Sequence, residues 1–254
     1  MPLINSKDFK ALILAGGYAT RLYPITLDIS KPLLKINKKT IIDFSIAELN
    51  KIKELKEVAV VTNDKFYRDY CKWVNKLKIN KEINIVNDGT KSEESKLGAV
   101  GDIYYAVKNR KIDSDLLVVG GDNIWEIGLT DFVKFAQSKG HSISIGIYNL
   151  KRKSKASRYG VVKVNKEHKI LEFQEKPLKP ASSFIAMCLY YFPRESLVFL
   201  KEYLKEPKFN ADKAGCYIKW LLTKTDVYGF SFKGVWLDIG ELDTYKQAQK
   251  YFSN

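Results

Sequence analysis

Gly16 and Gly17, then Arg21, then Lys31 immediately before Pro32, follow the apolar run Ala11–Leu14 within a single stretch of chain. Glycines at the end of a strand let backbone N–H groups approach an anion with no side chain in the way. A guanidinium four residues later forks onto phosphate oxygens. Proline biases the preceding residue toward an extended conformation, which would aim Lys31. Together they supply donors and two cations for a polyphosphate. The stretch is not a Walker loop, because no Gly-Lys-Ser/Thr follows, nor a dinucleotide fingerprint, because GxGxxG is absent. The glycines alone would be an ordinary turn; the whole string is what points to chemistry.

Two carboxylates form a second set. Asp122 follows Gly120-Gly121 after an apolar run, and Asp238 stands just before Ile239-Gly240. Alone, Asp122 would be a turn former or a helix cap. As a pair at strand ends, the two suit Mg2+, a hard cation that takes oxygen ligands and keeps several waters. The third set is Glu175-Lys176-Pro177. Here a lysine suits a phosphate, and an ionised carboxylate suits the hydroxyls of a sugar. An exposed Glu-Lys pair without such a partner would contribute little.

These residues need a scaffold that brings strand ends together. Short apolar runs alternate with helix-like segments, the pattern of a mostly parallel sheet covered by helices. Strands are expected at Ala11–Leu14, Val58–Val61, Ile83–Val86, Leu116–Val119 and Ile143–Tyr148. Between them, helices are expected across Ile41–Lys51, Phe66–Lys76 and Leu129–Lys139, and Gly98–Lys108 reads as a loop running into a helix. Beyond, Tyr159–Val164, Ile170–Glu175 and Phe184–Phe192 read as strands joined by hairpins rather than crossovers. Helices follow near Glu195–Leu204 and Tyr217–Leu222, strands at Val227–Phe232 and Val235–Leu237, and a closing helix at Asp243–Tyr251. With no repeat or linker, residues 1–254 read as one domain.

Composition narrows the function. The 254 residues carry a net charge of +14, which raises the question of nucleic acid. Only six of the 43 basic residues are arginines, and the lysines are spread along the chain, so a solvated surface that steers anionic substrates fits better. Cys71, Cys188 and Cys216 are too scattered for a disulfide framework or a CxxC site. His141 and His168, the only histidines, have no metal-ligand neighbours. "MPLINSKDFK" lacks a signal pattern and no run is long enough for a membrane span, so a cytoplasmic protein with no membrane partner is expected.

Ala15-Gly16-Gly17, Thr20-Arg21-Leu22, Pro24-Ile25-Thr26 and Lys31-Pro32 resemble, in order, the signature of the sugar-phosphate nucleotidylyltransferases. The resemblance runs from about Phe9 to Tyr251 and is nearest in pattern to glucose-1-phosphate thymidylyltransferase-like enzymes. It implies the nucleotide-diphospho-sugar transferase fold, a Rossmann-like α/β architecture with a mixed, mostly parallel sheet. About 1–125 would be the nucleotide-binding half and about 126–254 the sugar-phosphate-binding half. It implies that the glycine loop and Gly98 hold the nucleotide, Arg21 the pyrophosphate and Lys31 the phosphates near the reacting centre. Asp122 and Asp238 match the metal-binding aspartates, Glu175-Lys176 the sugar 1-phosphate site, and Gly160 of Tyr-Gly-Val-Val the glycine approached by the sugar.

The implied reaction joins a nucleoside triphosphate, dTTP or UTP first, to a sugar 1-phosphate, glucose 1-phosphate first, with Mg2+ as cofactor. Other readings are transfer to mannose 1-phosphate or to phosphocholine, a non-catalytic sugar-nucleotide sensor, and a nucleic-acid-binding module motivated by charge alone. A homo-oligomer is compatible with the sequence. The short tail implies a chain without the left-handed β-helix domain that some relatives append. Between Asn87 and Gly98 the segment is longer than in the thymidylyltransferase form and holds no glutamine, the residue that reads the base there. Cys188 stands where many relatives carry a glycine near the sugar.

Overall fold

The computed structural model describes residues 8–126, 128–206 and 208–253. Strand β1 (Phe9–Ala15) opens the fold, and a loop with two short 3-10 turns leads to the small hairpin β2 (Lys35–Ile36) and β3 (Lys39–Thr40). Then come α1 (Ile41–Asn50), β4 (Leu55–Thr62), α2 (Tyr67–Val74), β5 (Glu82–Asn87), α3 (Gly98–Asn109) and β6 (Asp115–Gly120). The middle holds β7 (Asn123–Trp125), α4 (Leu129–Ser138), β8 (Ile143–Asn149), β9 (Gly160–Val164), β10 (Ile170–Glu175) and β11 (Phe184–Phe192). Last come α5 (Val198–Leu204), α6 (Ala214–Leu221), β12 (Val227–Phe232), β13 (Trp236–Asp238) and α7 (Leu242–Tyr251).

The main sheet runs β10-β9-β11-β6-β1-β4-β5, with β8 also on β11 and β12 on β8. β1 is parallel to both β4 and β6, and β5 is parallel to β4. β9 and β10 form the antiparallel hairpin that the sequence suggests, but β11 pairs antiparallel with β6, β8 and β9 and not with β10, so the connection from β10 to β11 crosses over β9 instead of closing a second hairpin. Side chains alternate across β1: Ala11, Ile13 and Ala15 enter one hydrophobic core and Leu12 the other. A strand buried on both faces must read as a continuous apolar run, and this one does.

A third, smaller core positions the chemistry. Leu22, Leu34, Ile36, Ile124, Ile239 and Ala248 pack together. They tie the Arg21 turn, the segment after Asp122, the segment after Asp238 and α7 into one unit.

Three further details differ from the sequence reading. Lys31 is not extended: Lys31–Leu33 is a 3-10 turn and Ser30 is the extended residue. Proline tolerates the first turn of a helix, where its missing N–H would be unpaired anyway, so Pro32 sits inside the turn instead of aiming Lys31. The helix expected from Glu195 begins as a 3-10 turn at Arg194–Leu197 after Pro193, and becomes α-helical only at Val198. β2, β3 and β7 are two or three residues long, too short to show a periodicity.

Candidate active site

The chain turns sharply at Gly121, whose N–H donates to Leu14 O at 2.9 Å. This brings Asp122 beside the end of β1. β13 then pairs antiparallel with β7, setting Asp238 opposite Asn123, while Ile239 N–H donates to Asp122 O at 3.0 Å. The two aspartates are thus neighbours through backbone register. Asp122 Oδ2 accepts from Lys31 Nζ at 2.5 Å and its Oδ1 from Asn123 Nδ2 at 2.9 Å. Asn123 is itself held by Trp236, whose Nε1 donates to Asn123 Oδ1 at 2.7 Å. Burial alone would pull the Lys31 pKa down, but Asp122, with help from Asp238, holds it above its ordinary value. The Asp238 carboxyl is pushed up to about 7, by burial first and by Asp122 second.

Two cavities meet here. One, of about 430 Å3, is lined by Gly16, Gly17, Lys31 and Gly98. The other, of about 390 Å3, is lined by Gly160, Glu175 and Cys188. Arg21, Asp122, Lys176 and Asp238 line both. Ala15 is buried and lines a smaller cavity of about 190 Å3 beside Lys31 and Asp122.

The glycines serve different ends. A Cβ on Gly17 would meet nothing within 4 Å, so its face is open to a ligand. Gly16 is instead filled by the protein: a Cβ there would lie 2.5 Å from Asp102 Oδ2. Gly98 has φ +77 and passes so close to Asp212 that a Cβ would lie 2.6 Å from its Cα. Only glycine meets both demands.

In the second cavity, Glu175 ends β10 with its carboxylate laid against Gly215, the second residue of α6. Burial raises the Glu175 pKa, and Lys176 and Lys213 oppose the rise. Lys176 adopts the left-handed region at φ +45, uncommon for a residue with a side chain, and its N–H donates to Tyr159 O at 3.1 Å. Such a conformation persists only where the surroundings impose it. Gly160 is closed in by Phe173, 2.4 Å from where its Cβ would sit. Burial, with Asp122 second, pushes the Cys188 thiol up to about 12, so it stays neutral.

Sequence reasoning passed over Asp88 and Asp102, buried polar residues at 7% and 6% exposure. The available signal was spacing: Asp102 lies one helical turn after Gly98 and so shares its face of α3.

Asp122 and Asp238 fit a Mg2+ ion. Their oxygens are hard donors, and the repulsion that raises Asp238 is what a divalent cation relieves. Among the described residues no third His, Cys, Asp or Glu completes a cluster. Two carboxylates leave the remaining positions to water and phosphate, the usual habit of Mg2+ at phosphate sites.

A family profile described as nucleotidyl transferase matches residues 10–254. A protein named as a candidate mannose-1-phosphate guanyltransferase from Sulfolobus acidocaldarius is 31% identical over 91% of this chain and 59% of its own length. A glucose-1-phosphate adenylyltransferase from Clostridioides difficile is 28% identical over 95% of this chain and 66% of its own length. The chain therefore spans about three fifths to two thirds of these relatives. The fold superposes on a candidate glucose-1-phosphate thymidylyltransferase from Bacillus anthracis with a TM-score of 0.81 at 21% identity, covering 96% of this chain and 94% of that one. A UDP-glucose pyrophosphorylase gives the same TM-score of 0.81 at 19% identity, covering 96% and 98%.

Proposed function

Because the chain belongs to the nucleotidyl transferase family, we propose that it transfers a nucleotidyl group from a nucleoside triphosphate to a sugar 1-phosphate, releasing pyrophosphate. The observation that carries this reading is the meeting of two cavities at Arg21, Asp122, Lys176 and Asp238. One cavity takes the triphosphate and the other the acceptor. The halves divide the work accordingly, about 1–125 toward the nucleotide and about 126–254 toward the sugar phosphate, although both cavities draw on residues of each.

An oxygen of the sugar 1-phosphate attacks the α-phosphorus, forming a new P–O bond as the bond to the β-phosphate oxygen breaks. Near neutral pH that oxygen is already anionic, because a phosphate monoester has its second pKa near about 6. No general base is needed. The barrier lies in bringing anions together in line, so catalysis is positioning and charge stabilisation. Lys176 holds the incoming phosphate, with its direction set by the left-handed backbone. Glu175 accepts from sugar hydroxyls. Arg21 stabilises the departing pyrophosphate, and Lys31, beside Asp122, faces the α-phosphate. Asp122 and Asp238 would hold Mg2+, which supplies a Lewis acid for the phosphate oxygens.

The test is pyrophosphate release in Mg2+ across five nucleoside triphosphates and a panel of sugar 1-phosphates. Strong turnover with one pair supports the reading. Silence throughout, with phosphocholine also inert and nucleotide still bound, would mark a sensor instead. Thymidylyl or uridylyl transfer to glucose 1-phosphate is the first pair expected from sequence. Guanylyl transfer to mannose 1-phosphate has a counterpart in the name of the Sulfolobus acidocaldarius relative. Base choice depends on the far end of the nucleotide cavity.

A further inference from the structure

Asp212 lines both cavities, yet the phosphate chemistry gives it no task. Its side chain is 53% exposed, so the carboxylate is open to a ligand. The backbone that carries it, between α5 and α6, is held in place by its neighbours. Ala211 O accepts from Val100 N–H at 2.9 Å. Asn210 Oδ1 accepts from the N–H groups of Asp212 and Lys213 at 2.9 and 3.1 Å. Gly98 admits the close approach, with Asp212 Cα 2.6 Å from where a Cβ would sit. A residue from the back half of the chain is thus pinned against the start of α3 in the front half.

Lys96 sets the direction of the carboxylate. Its Nζ lies 3.1 Å from Asp212 Oδ2 and 2.5 Å from Glu93 Oε1. Lys96 and Gly98 line the nucleotide cavity and not the acceptor cavity, so the carboxylate is drawn to the nucleotide side. One ammonium between two carboxylates leaves this corner net negative, which repels a triphosphate. Ionised oxygens are strong acceptors, and hydroxyls are the donors of a nucleotide that suit them.

With the α-phosphorus beside Lys31 and Asp122, as the proposed function has it, the next group of the nucleotide is the ribose, bonded to the α-phosphate through its 5′ oxygen. We propose that Asp212 is a specificity-determining residue that accepts hydrogen bonds from the 2′ and 3′ hydroxyls of that ribose and so selects ribonucleoside over 2′-deoxyribonucleoside triphosphates. A carboxylate offers about four lone-pair sites, so the pairing with Lys96 leaves room for both hydroxyls. Lys96 is a positioning residue that acts through Asp212. The assignment rests on the proposed function for the orientation of the nucleotide. Of the two nucleotides expected first from sequence, it favours UTP over dTTP.

The experiment compares each nucleoside triphosphate with its 2′-deoxy counterpart: ATP with dATP, GTP with dGTP, CTP with dCTP and UTP with dUTP. Mg2+-dependent pyrophosphate release, with KM for both substrates, is measured on the full chain and on Asp212→Ala, Asp212→Asn and Lys96→Met, each checked for native circular dichroism. For the base used best, the ribonucleotide is expected to be favoured in kcat/KM by roughly tenfold or more, since a site built to hydrogen-bond a hydroxyl rejects the analogue lacking it. That ratio should fall toward one in Asp212→Ala and fall partway in Lys96→Met, with KM for sugar 1-phosphate near wild type in both. Asp212→Asn keeps an acceptor oxygen and should keep part of the ratio. If Asp212→Ala does not fold, Asp212→Asn and Lys96→Met carry the test. A wild type that uses 2′-deoxyribonucleotides equally well overturns the assignment and leaves nucleotidyl transfer standing. So does a ratio that is unmoved in the folded variants, or a rise confined to the KM for sugar 1-phosphate, which would give Asp212 to the acceptor. Failure to release pyrophosphate from any nucleotide overturns both.

Discussion

Lys31 Nζ lies 2.5 Å from Asp122 Oδ2, so the cation assigned to the α-phosphate and the carboxylate assigned to the metal hold each other before substrate arrives. The pairing offsets the desolvation that the buried lysine suffers. Phosphate oxygens would compete for the lysine and a divalent cation for the carboxylate. Asp122→Asn and Lys31→Gln should each lower pyrophosphate release by roughly 10²-fold or more, the scale of losing one well-placed electrostatic contact. Circular dichroism should remain native. Near-normal turnover in folded Asp122→Asn would remove the metal assignment.

Metal dependence should carry a pH signature. The Asp238 carboxyl, pushed up to about 7, holds a proton below that pH, and a cation must displace it. The Mg2+ concentration for half-maximal activity should therefore fall as pH rises toward about 7 and level off above. Chelation should abolish turnover. A metal requirement flat from pH 5.5 to pH 8 would contradict this.

Gly215 offers a test confined to the acceptor side. A Cβ there would lie 1.9 Å from Glu175 Oε2, so Gly215→Ala should push the carboxylate out of place. The expected result is a KM for sugar 1-phosphate raised by roughly tenfold, the loss of one good polar contact. The KM for the nucleotide should stay near wild type. Equal rises in both would mean that Gly215 supports the fold rather than Glu175.

The proton on Asp102 should appear in stability. Its folded pKa is about 8, whereas an exposed aspartate titrates near about 3.9. Between those values the native state binds a proton that the unfolded chain lacks, so this residue's contribution to stability declines as pH rises and is lost through the folded pKa. Asp102→Asn removes the titration. Its melting temperature relative to wild type should be higher at pH 8 than at pH 5. A constant difference would show that Asp102 is already ionised at the lower pH.

The regular elements were legible because they obey strong periodicities. Ile170–Glu175, Phe184–Phe192 and Val227–Phe232 run as read, and β1 extends the expected Ala11–Leu14 at both ends. Long-range pairing was not legible. Nothing in the residues of β7 announces that Asn123 will face Asp238, since three residues carry no usable pattern. The chemistry-bearing motifs were visible as residue types in order, and the structure brings Arg21, Asp122, Lys176 and Asp238 to one junction. The Asp88–Asp102 pair was hidden because each residue, read alone, looks like a solvated charge. Only folding shows that they are buried side by side against Gly16.

The β7–β13 pairing also bears on synthesis. Asp122 leaves the ribosome well before Asp238, and the backbone bond from Ile239 to Asp122 can close only once the C-terminal stretch has emerged. The pairing of the two aspartates is therefore completed last, when β13 joins β7.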